Sequence, residues 1–286
     1  MDKTQSQTKP LPVSKQMVFA AYQKVKTKGK AYGVDQMSMK DFEEKLSGNL
    51  YKIWNRLASG TYFPPAVREV EIPKKDGKMR KLGIPTIGDR IAQTVVKDYM
   101  ETSIDKLFHE NSYGYRPLKS AHQALEKARI NVKYYDWVID MDIKGFFDNI
   151  SHNLILKALD KVATEKWVKM YCKRWLEMPV QKTDGTIVCK EGRGTPQGGV
   201  ISPLLANLFL HYAFDLWITK QHPSIRFERY ADDVIVHCHT QEDAEAILLQ
   251  ITERMYQCQL ELHPLKTKIV YCKDYKRKEP HKQVQF

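Results

Sequence analysis

The sequence predicts a two-part α+β protein, and three observations carry that expectation. From Trp137 onward the order is strand, helices, hairpins, helix and strand, which suits an antiparallel sheet backed by helices. Val67 to Ile84 reads as a β-hairpin, with Val70 and Ile72 alternating against Glu69 and Glu71 and Asp76-Gly77 at the turn. Elsewhere the apolar spacing is helical. A chain of 286 residues is long enough for one large domain or two intimate subdomains with a core.

The elements follow in order. Met1 to about Pro12 is a polar, Pro-containing tail and is expected to be flexible. A helix is expected around Lys15 to Lys26, then a loop with Gly29 and Gly33. Lys74, Lys75, Lys78, Arg80 and Lys81 crowd the turn of the first hairpin. Asp89 to Phe108 reads as a helix with Ile91, Val95 and Tyr99 on one face. Ser120 with Gln123 forms a capping box ahead of an apolar stripe of Ala121, Ala124, Leu125 and Ala128. Trp137 to Ile143 is β-like, Ser151 to Val162 helical, and Thr183-Asp184-Gly185-Thr186 a hairpin turn. Ser202-Pro203 opens a helix that is apolar nearly all round and should therefore be buried. Strands flank Tyr230 to Asp233. Thr240 and Asp243 cap a helix with Ala244, Ile247, Leu248, Ile251 and Met255 on one face. Lys268 to Cys272 is the last strand, and a basic terminus, Lys273 to Lys282, follows.

Composition narrows the classes. The 42% apolar content is that of a globular protein. Lys and Arg exceed Asp and Glu by 46 to 34, a net charge of +12 that favours a polyanionic partner through counterion release. The five cysteines, Cys172, Cys189, Cys238, Cys258 and Cys272, show no C-x-x-C spacing, so they read as reduced thiols of a cytosolic protein. The start has no apolar signal segment. The longest apolar candidate, Pro203 to Ile218, is interrupted by Asn207, His211 and Asp215, so no membrane association is expected.

Two acidic places carry the chemistry. In Ile139-Asp140-Met141-Asp142-Ile143-Lys144-Gly145-Phe146-Phe147-Asp148 an apolar strand runs into carboxylates. In Tyr230-Ala231-Asp232-Asp233 two acids sit between β-rich stretches. Nucleotidyl transfer uses two divalent cations roughly 4 Å apart, held by hard oxygen ligands converging from separate strands. An isolated acidic tetrapeptide is more often a solvated turn; the joint pattern is what points to metal-dependent chemistry. Between the two lies Gly192-Arg193-Gly194-Thr195-Pro196-Gln197-Gly198-Gly199-Val200-Ile201-Ser202-Pro203. Helix capping explains Ser202 and Pro203 but not the glycines and Gln197 ahead of them, whose small size lets a base pair approach the backbone. His237-Cys238-His239 is no zinc site, because strand alternation turns the Cys away from both His residues.

These three segments, in this order, resemble the motifs of the reverse transcriptase family, and most nearly the group II intron-encoded reverse transcriptases (maturases). Gly33-Val34-Asp35, Ile72-Pro73-Lys74 through Leu82-Gly83-Ile84-Pro85, Tyr113-Gly114-Tyr115-Arg116-Pro117 and Leu262-His263-Pro264-Leu265-Lys266-Thr267-Lys268 extend the likeness over most of the chain. His263 stands where the family often has Asn. The resemblance implies a right-hand polymerase fold: fingers mainly over 13–135 after a flexible tail at 1–12, and palm mainly over 136–286, with fingers segments interleaved around 150–195. The palm would be a ferredoxin-like antiparallel sheet backed by helices, and the thumb is expected to be absent from this chain.

The resemblance also implies the site. Asp142, Ile143, Asp232 and Asp233 would hold two Mg²⁺ ions, with Mn²⁺ an alternative; Asp140 shares a strand face with Asp142 and is the alternative ligand. Lys74 and Arg80 would clamp the incoming deoxynucleoside triphosphate, and Gln197 would contact that nucleotide or its template partner. Phe146 would be the steric gate against a ribose 2′-hydroxyl, with Phe147 turned into the core if the backbone stays extended. Arg116 is read as a template contact or a structural arginine. Lys266 would be the general acid to pyrophosphate, with Lys268 the neighbouring alternative. The implied reaction is RNA-directed DNA synthesis from a DNA primer. The implied partner is group II intron RNA, in a cytoplasmic ribonucleoprotein of bacterial type, with roles in splicing and mobility. An RNA-binding maturase fragment that needs no catalysis, or a retron, diversity-generating or CRISPR-associated reverse transcriptase, is the alternative. Apolar surface left by a missing thumb leaves a homodimer open.

Overall fold

The structure is a computed structural model that describes residues 10–28, 31–73, 77, 79–162, 165–189, 191–273 and 277. The helices are α1 (Lys15–Lys26), α2 (Met39–Glu44), α3 (Leu46–Ala58), α4 (Ile87–Asp105), α5 (Ala121–Asn131), α6 (Phe146–Asn149), α7 (His152–Val162), α8 (Lys166–Leu176), α9 (Ser202–Leu210), α10 (Leu216–Gln221) and α11 (Gln241–Gln257). A π-helical turn, His211–Asp215, joins α9 to α10. The strands are β1 (Val67–Pro73), β2 (Met79–Ile84), β3 (Trp137–Met141), β4 (Val180–Gln181), β5 (Ile187–Val188), β6 (Arg226–Tyr230), β7 (Asp233–Cys238) and β8 (Lys268–Tyr271). The tail expected to be flexible falls mostly outside the described residues, as do Lys74 and most of the basic terminus.

The chain divides into two compact units. One comprises 1–100, 163–191 and 196–202, the other 101–162, 192–195 and 203–286. The first boundary between them, at 100–101, lies inside α4.

In the first unit, β1 and β2 pair antiparallel from Arg68↔Ile84 to Pro73↔Met79, as the alternation predicts. β4 then joins β1 in parallel and β5 closes the sheet, giving the order β2-β1-β4-β5. Helix α8 buries Trp167, Tyr171 and Trp175, spaced four apart along one face. Trp175 Nε1 and the Tyr62 hydroxyl donate to Asp89 Oδ1 at 2.8 and 3.0 Å, and Gln93 Nε2 donates to Oδ2 at 2.8 Å. The other end of Gln93 accepts from the Ile201 amide, just ahead of α9.

Burial pushes the Asp89 carboxyl up to about 6, against the pull of those three hydrogen bonds. Its folded pKa lies above the unfolded one, so its contribution to stability is present below about pH 4 and is lost as pH rises through about 6. The rise from 3.8 to about 6 corresponds to about 3 kcal/mol. Asp89→Asn removes the titration. Denaturant unfolding at pH 4 and pH 7 is expected to show the wild-type advantage over Asp89→Asn shrinking by about this amount; a difference independent of pH would contradict it.

In the second unit the four-stranded sheet has the order β6-β7-β3-β8. Central β3 runs antiparallel to both neighbours, from Met141↔Val234 to Trp137↔Cys238 on one side and from Asp140↔Lys268 to Trp137↔Tyr271 on the other. With α9 and α10 between β3 and β6, a β6–β7 hairpin, and α11 between β7 and β8, this is the ferredoxin-like topology expected. α11 packs on β3, β7 and β8, while α5 packs on β6. At the centre of the sheet, β3 buries Trp137, Val138, Ile139 and Met141 and leaves only Asp140 exposed. Every described residue of α9 except Pro203 is buried, as its apolar surface requires. No helix among the described residues is long and apolar enough to cross a membrane.

Candidate active site

Asp142 follows the last residue of β3, and Asp233 opens β7. Since Met141 pairs with Val234, the sheet register carries Asp142 toward Asp233 at the same end of neighbouring strands. Tyr230 pairs with Asp233, so Ala231 and Asp232 form a two-residue hairpin tip. Two segments distant in sequence thus place Asp142 and the Asp232–Asp233 hairpin at the same end of adjacent strands.

The electrostatics record that proximity. Partial desolvation raises the Asp233 carboxyl even though it reaches solvent, and the charges of Asp232, Asp142 and Asp140 raise it further, while Lys266 opposes them. Partial desolvation beside the sheet and then the charge of Asp142 raise Asp140, although its side chain reaches solvent, while Lys268 lowers it. Carboxylates that resist ionising together are a donor set suited to a hard divalent cation, which replaces mutual repulsion with attraction. The side chains do not stand as a preformed cage: among the described residues no group of three or more His, Cys, Asp or Glu is disposed to hold a metal ion. Instead the Lys266 ammonium donates to Asp142 Oδ2 at 3.0 Å.

The segment after Leu260 is what holds Asp142. Ile143, itself buried, bridges to Leu262. The His263 amide donates to the Asp142 carbonyl at 2.8 Å. Thr267 brackets the same residue, its hydroxyl accepting from the Asp142 amide at 3.3 Å and donating to the carbonyl at 3.2 Å. The two candidate lysines therefore part company: Lys266 reaches Asp142, and Lys268 faces Asp140 across the sheet.

One expectation needs correction, and one open alternative can be weighed. Phe146 and Phe147 begin a helical turn after Gly145, whose φ of +55° is one that glycine adopts without strain. An alternating strand therefore does not separate them. Both rings are buried, Phe146 at 3% exposure against Phe209 and Phe147 at 9%. Of the two readings of Arg116, its contacts favour the structural one. Its guanidinium makes five hydrogen bonds, to both carboxylate oxygens and the carbonyl of Asp105 and to the carbonyls of His109 and Ser112. With every N–H donor engaged, none is left for a template phosphate.

In the first unit Arg80 Nε donates to Gln197 Oε1 at 2.7 Å, and the Gly83 amide donates to the Gln197 carbonyl at 2.6 Å. Two residues chosen separately from the sequence are thus neighbours. Gly198 beside them has φ +109°, and a Cβ there would stand 2.4 Å from the Gly83 carbonyl oxygen, so the loop requires glycine. Lys74 lies outside the described residues.

The sequence reading missed a buried network behind the hairpin tip. Arg229, on β6, is fully buried. Its Nε and Nη2 donate to the two carboxylate oxygens of Asp215 at 2.7 and 2.6 Å. Its Nη1 donates to Asn207 Oδ1 and to the Ala231 carbonyl, both at 2.9 Å. The available signal was Asn207 and Asp215 inside an apolar helix, because a buried charge requires a partner.

A family model described as "Reverse transcriptase (RNA-dependent DNA polymerase)" matches residues 72–286. Among curated proteins, the chain is 34% identical over 197 residues to protein YkfC of Escherichia coli, covering 67% of this chain and 51% of that protein. It is 36% identical over 170 residues to the group II intron-encoded protein LtrA of Lactococcus lactis, covering 59% of this chain and 27% of LtrA. It is 30% identical to a putative COX1/OXI3 intron 1 protein of Saccharomyces cerevisiae, covering 73% of this chain and 26% of that one. The chain thus spans about half of the first relative and about a quarter of the others. Among solved structures, telomerase from Candida albicans in complex with a telomeric RNA fragment matches 84% of this chain and 46% of its own, with TM-score 0.58 and 13% identity. At that identity the likeness is one of fold.

Proposed function

The chain belongs to the reverse transcriptase (RNA-dependent DNA polymerase) family, and from that premise we propose that it adds deoxynucleotides to a primer 3′-hydroxyl on an RNA template. The observation that carries the reading is the convergence of Asp142 with the Asp232–Asp233 hairpin on adjacent strands of the sheet. Two Mg²⁺ ions, when bound, would supply activation of the primer hydroxyl and neutralisation of triphosphate charge. Asp142, Asp232, Asp233 and the Ile143 backbone are the residues that would hold them.

The chain's own groups divide the remaining work. Lys266, whose ammonium donates to Asp142 Oδ2, would be the proton source for the departing pyrophosphate. Arg80, oriented by Gln197, offers its remaining guanidinium donors to triphosphate oxygens, a geometry suited to phosphate. Lys74 would add a second positive charge there. Neutralising the leaving group is worth most where its charge grows in the transition state.

Sugar selection falls on the Phe146–Phe147 pair. Under the gate assignment, Phe146→Ala is expected to raise ribonucleotide incorporation about tenfold or more relative to deoxynucleotide, and Phe147→Ala to change it less. Competition between the two nucleotide types in primer extension checks this, and the reverse order would move the gate to Phe147.

The finer reading is that the template is group II intron RNA, which the protein also helps to splice and mobilise. The similarity to LtrA and the net charge of +12 favour it. Extension of a DNA primer on an RNA template tests the polymerase. Splicing of an intron RNA with Asp232→Ala tests the binding role, which should survive loss of the carboxylate. Intact splicing support with no extension by the wild-type chain would leave an RNA-binding factor.

A further inference from the structure

We infer that Arg229 and Asp215 are positioning residues that set the affinity of the carboxylate site for its cation, by holding the hairpin tip that carries Asp232. The inference rests on the metal-dependent reading above and adds residues that touch neither substrate nor cation.

Several independent features converge on that tip. Ala231 has φ +58°, in the left-handed region where a residue with a Cβ is strained. Glycine or asparagine is the ordinary choice at such a place in a two-residue hairpin. The chain has Ala, so something outside the turn must impose the shape. The Arg229 guanidinium does so from below, with its Nη1–H on the Ala231 carbonyl. Gly114 does so from the side: a Cβ there would stand 2.3 Å from the Ala231 amide nitrogen, so the two backbones are in direct contact. Asn207 ties these supports together, accepting from Arg229 and donating from Nδ2 to the Gly114 carbonyl at 2.7 Å. The Tyr113 amide donates to the Arg229 carbonyl, and the Arg229 amide to the Asn111 carbonyl, which fixes the strand itself.

Asp215 completes the support. It closes the π-helical turn and has no exposed surface, and both its oxygens are taken by Arg229. The fork geometry matters. One guanidinium here satisfies a carboxylate, an amide oxygen and a main-chain carbonyl in fixed directions, which a single ammonium point charge does not reproduce. The tip is therefore held rigid before any cation arrives, and the Asp232 carboxylate is aimed without loss of turn entropy on binding. Partners behind metal ligands commonly change affinity by about 10–100-fold when removed.

The test uses Mn²⁺ alone as the probe, with binding to the whole chain followed by electron paramagnetic resonance and folding checked by circular dichroism. Arg229→Lys, folded, is expected to weaken Mn²⁺ binding about tenfold or more. Adding Ala231→Gly in that background is expected to recover part of the loss, because glycine needs no outside support to hold a positive φ. In primer extension, raising Mg²⁺ should restore the Arg229→Lys rate toward wild type. Wild-type Mn²⁺ affinity in folded Arg229→Lys would overturn the inference, as would a loss that Ala231→Gly leaves untouched. Where Arg229→Lys does not fold, Gly114→Ala displaces the same tip without breaking the ion pair, and undiminished Mn²⁺ binding there overturns it equally. Asp232→Ala is the control: if it binds Mn²⁺ as well as wild type, the metal site itself is wrong, a failure distinct from that of the positioning role.

Discussion

Asp232→Ala is expected to lower RNA-templated deoxynucleotide incorporation by roughly a thousandfold or more, with no loss of thermal stability. Asp232 sits at the hairpin tip, only partly buried, and its charge is among the causes that raise the carboxyl of Asp233. A folded-state pKa raised in this way takes stability from the protein as pH rises through it, so deleting the neighbouring charge relieves rather than weakens the fold at neutral pH. Activity and stability should therefore move independently. A melting temperature several degrees below wild type would mean that the tip carries structure as well as chemistry. Retention of more than about a tenth of the activity would remove Asp232 from the catalytic set.

Arg229→Ala has the largest expected effect on stability. It leaves the Asp215 carboxylate in a site with no exposed surface, where the nearest remaining basic group is the His211 imidazole at 3.9 Å. Breaking a buried pair on one side costs about 3–5 kcal/mol, whereas replacing both partners with apolar residues of similar volume is often close to neutral. The double variant Arg229→Met/Asp215→Leu is therefore expected to recover most of the stability lost by Arg229→Ala. It should not recover the cation affinity, since the Ala231 carbonyl still lacks its donor. Equal destabilisation by the single and double variants, measured by denaturant unfolding, would contradict this account of the pair.

Much of the architecture was legible because it is written in local patterns. The Ser120–Gln123 capping box marks the start of α5, and Thr240 caps α11 through the Asp243 amide. The alternation of Val70 and Ile72 marks the β1–β2 hairpin, and the apolar surface of α9 gives its burial. Helices α3 and α8 were not anticipated. In α8 the buried stripe is built from Trp167, Tyr171 and Trp175 set among lysines and an arginine, so hydropathy understates it. In the candidate site, Asp142, Asp232 and Asp233 could be paired from sequence because the motifs bracket predicted strands. The Phe146–Phe147 geometry could not, because β3 ends at Met141 and a left-handed Gly145 starts a helical turn at Phe146. Arg116 was open to two readings, and the carbonyls that fix its role gather only when the chain from Asp105 to Ser112 folds around it. The Arg229 network depends on contacts between residues more than a dozen positions apart, which no periodicity reports.

The most direct measurement is extension of a labelled DNA primer on an RNA template by this chain, with deoxynucleotides and Mg²⁺, beside its Asp232→Ala variant. Template-directed DNA synthesis that depends on Mg²⁺ and disappears in Asp232→Ala is the expected result. RNA binding without any extension, at every Mg²⁺ and Mn²⁺ concentration tried, would contradict the polymerase reading of this chain and leave its carboxylates without a catalytic role.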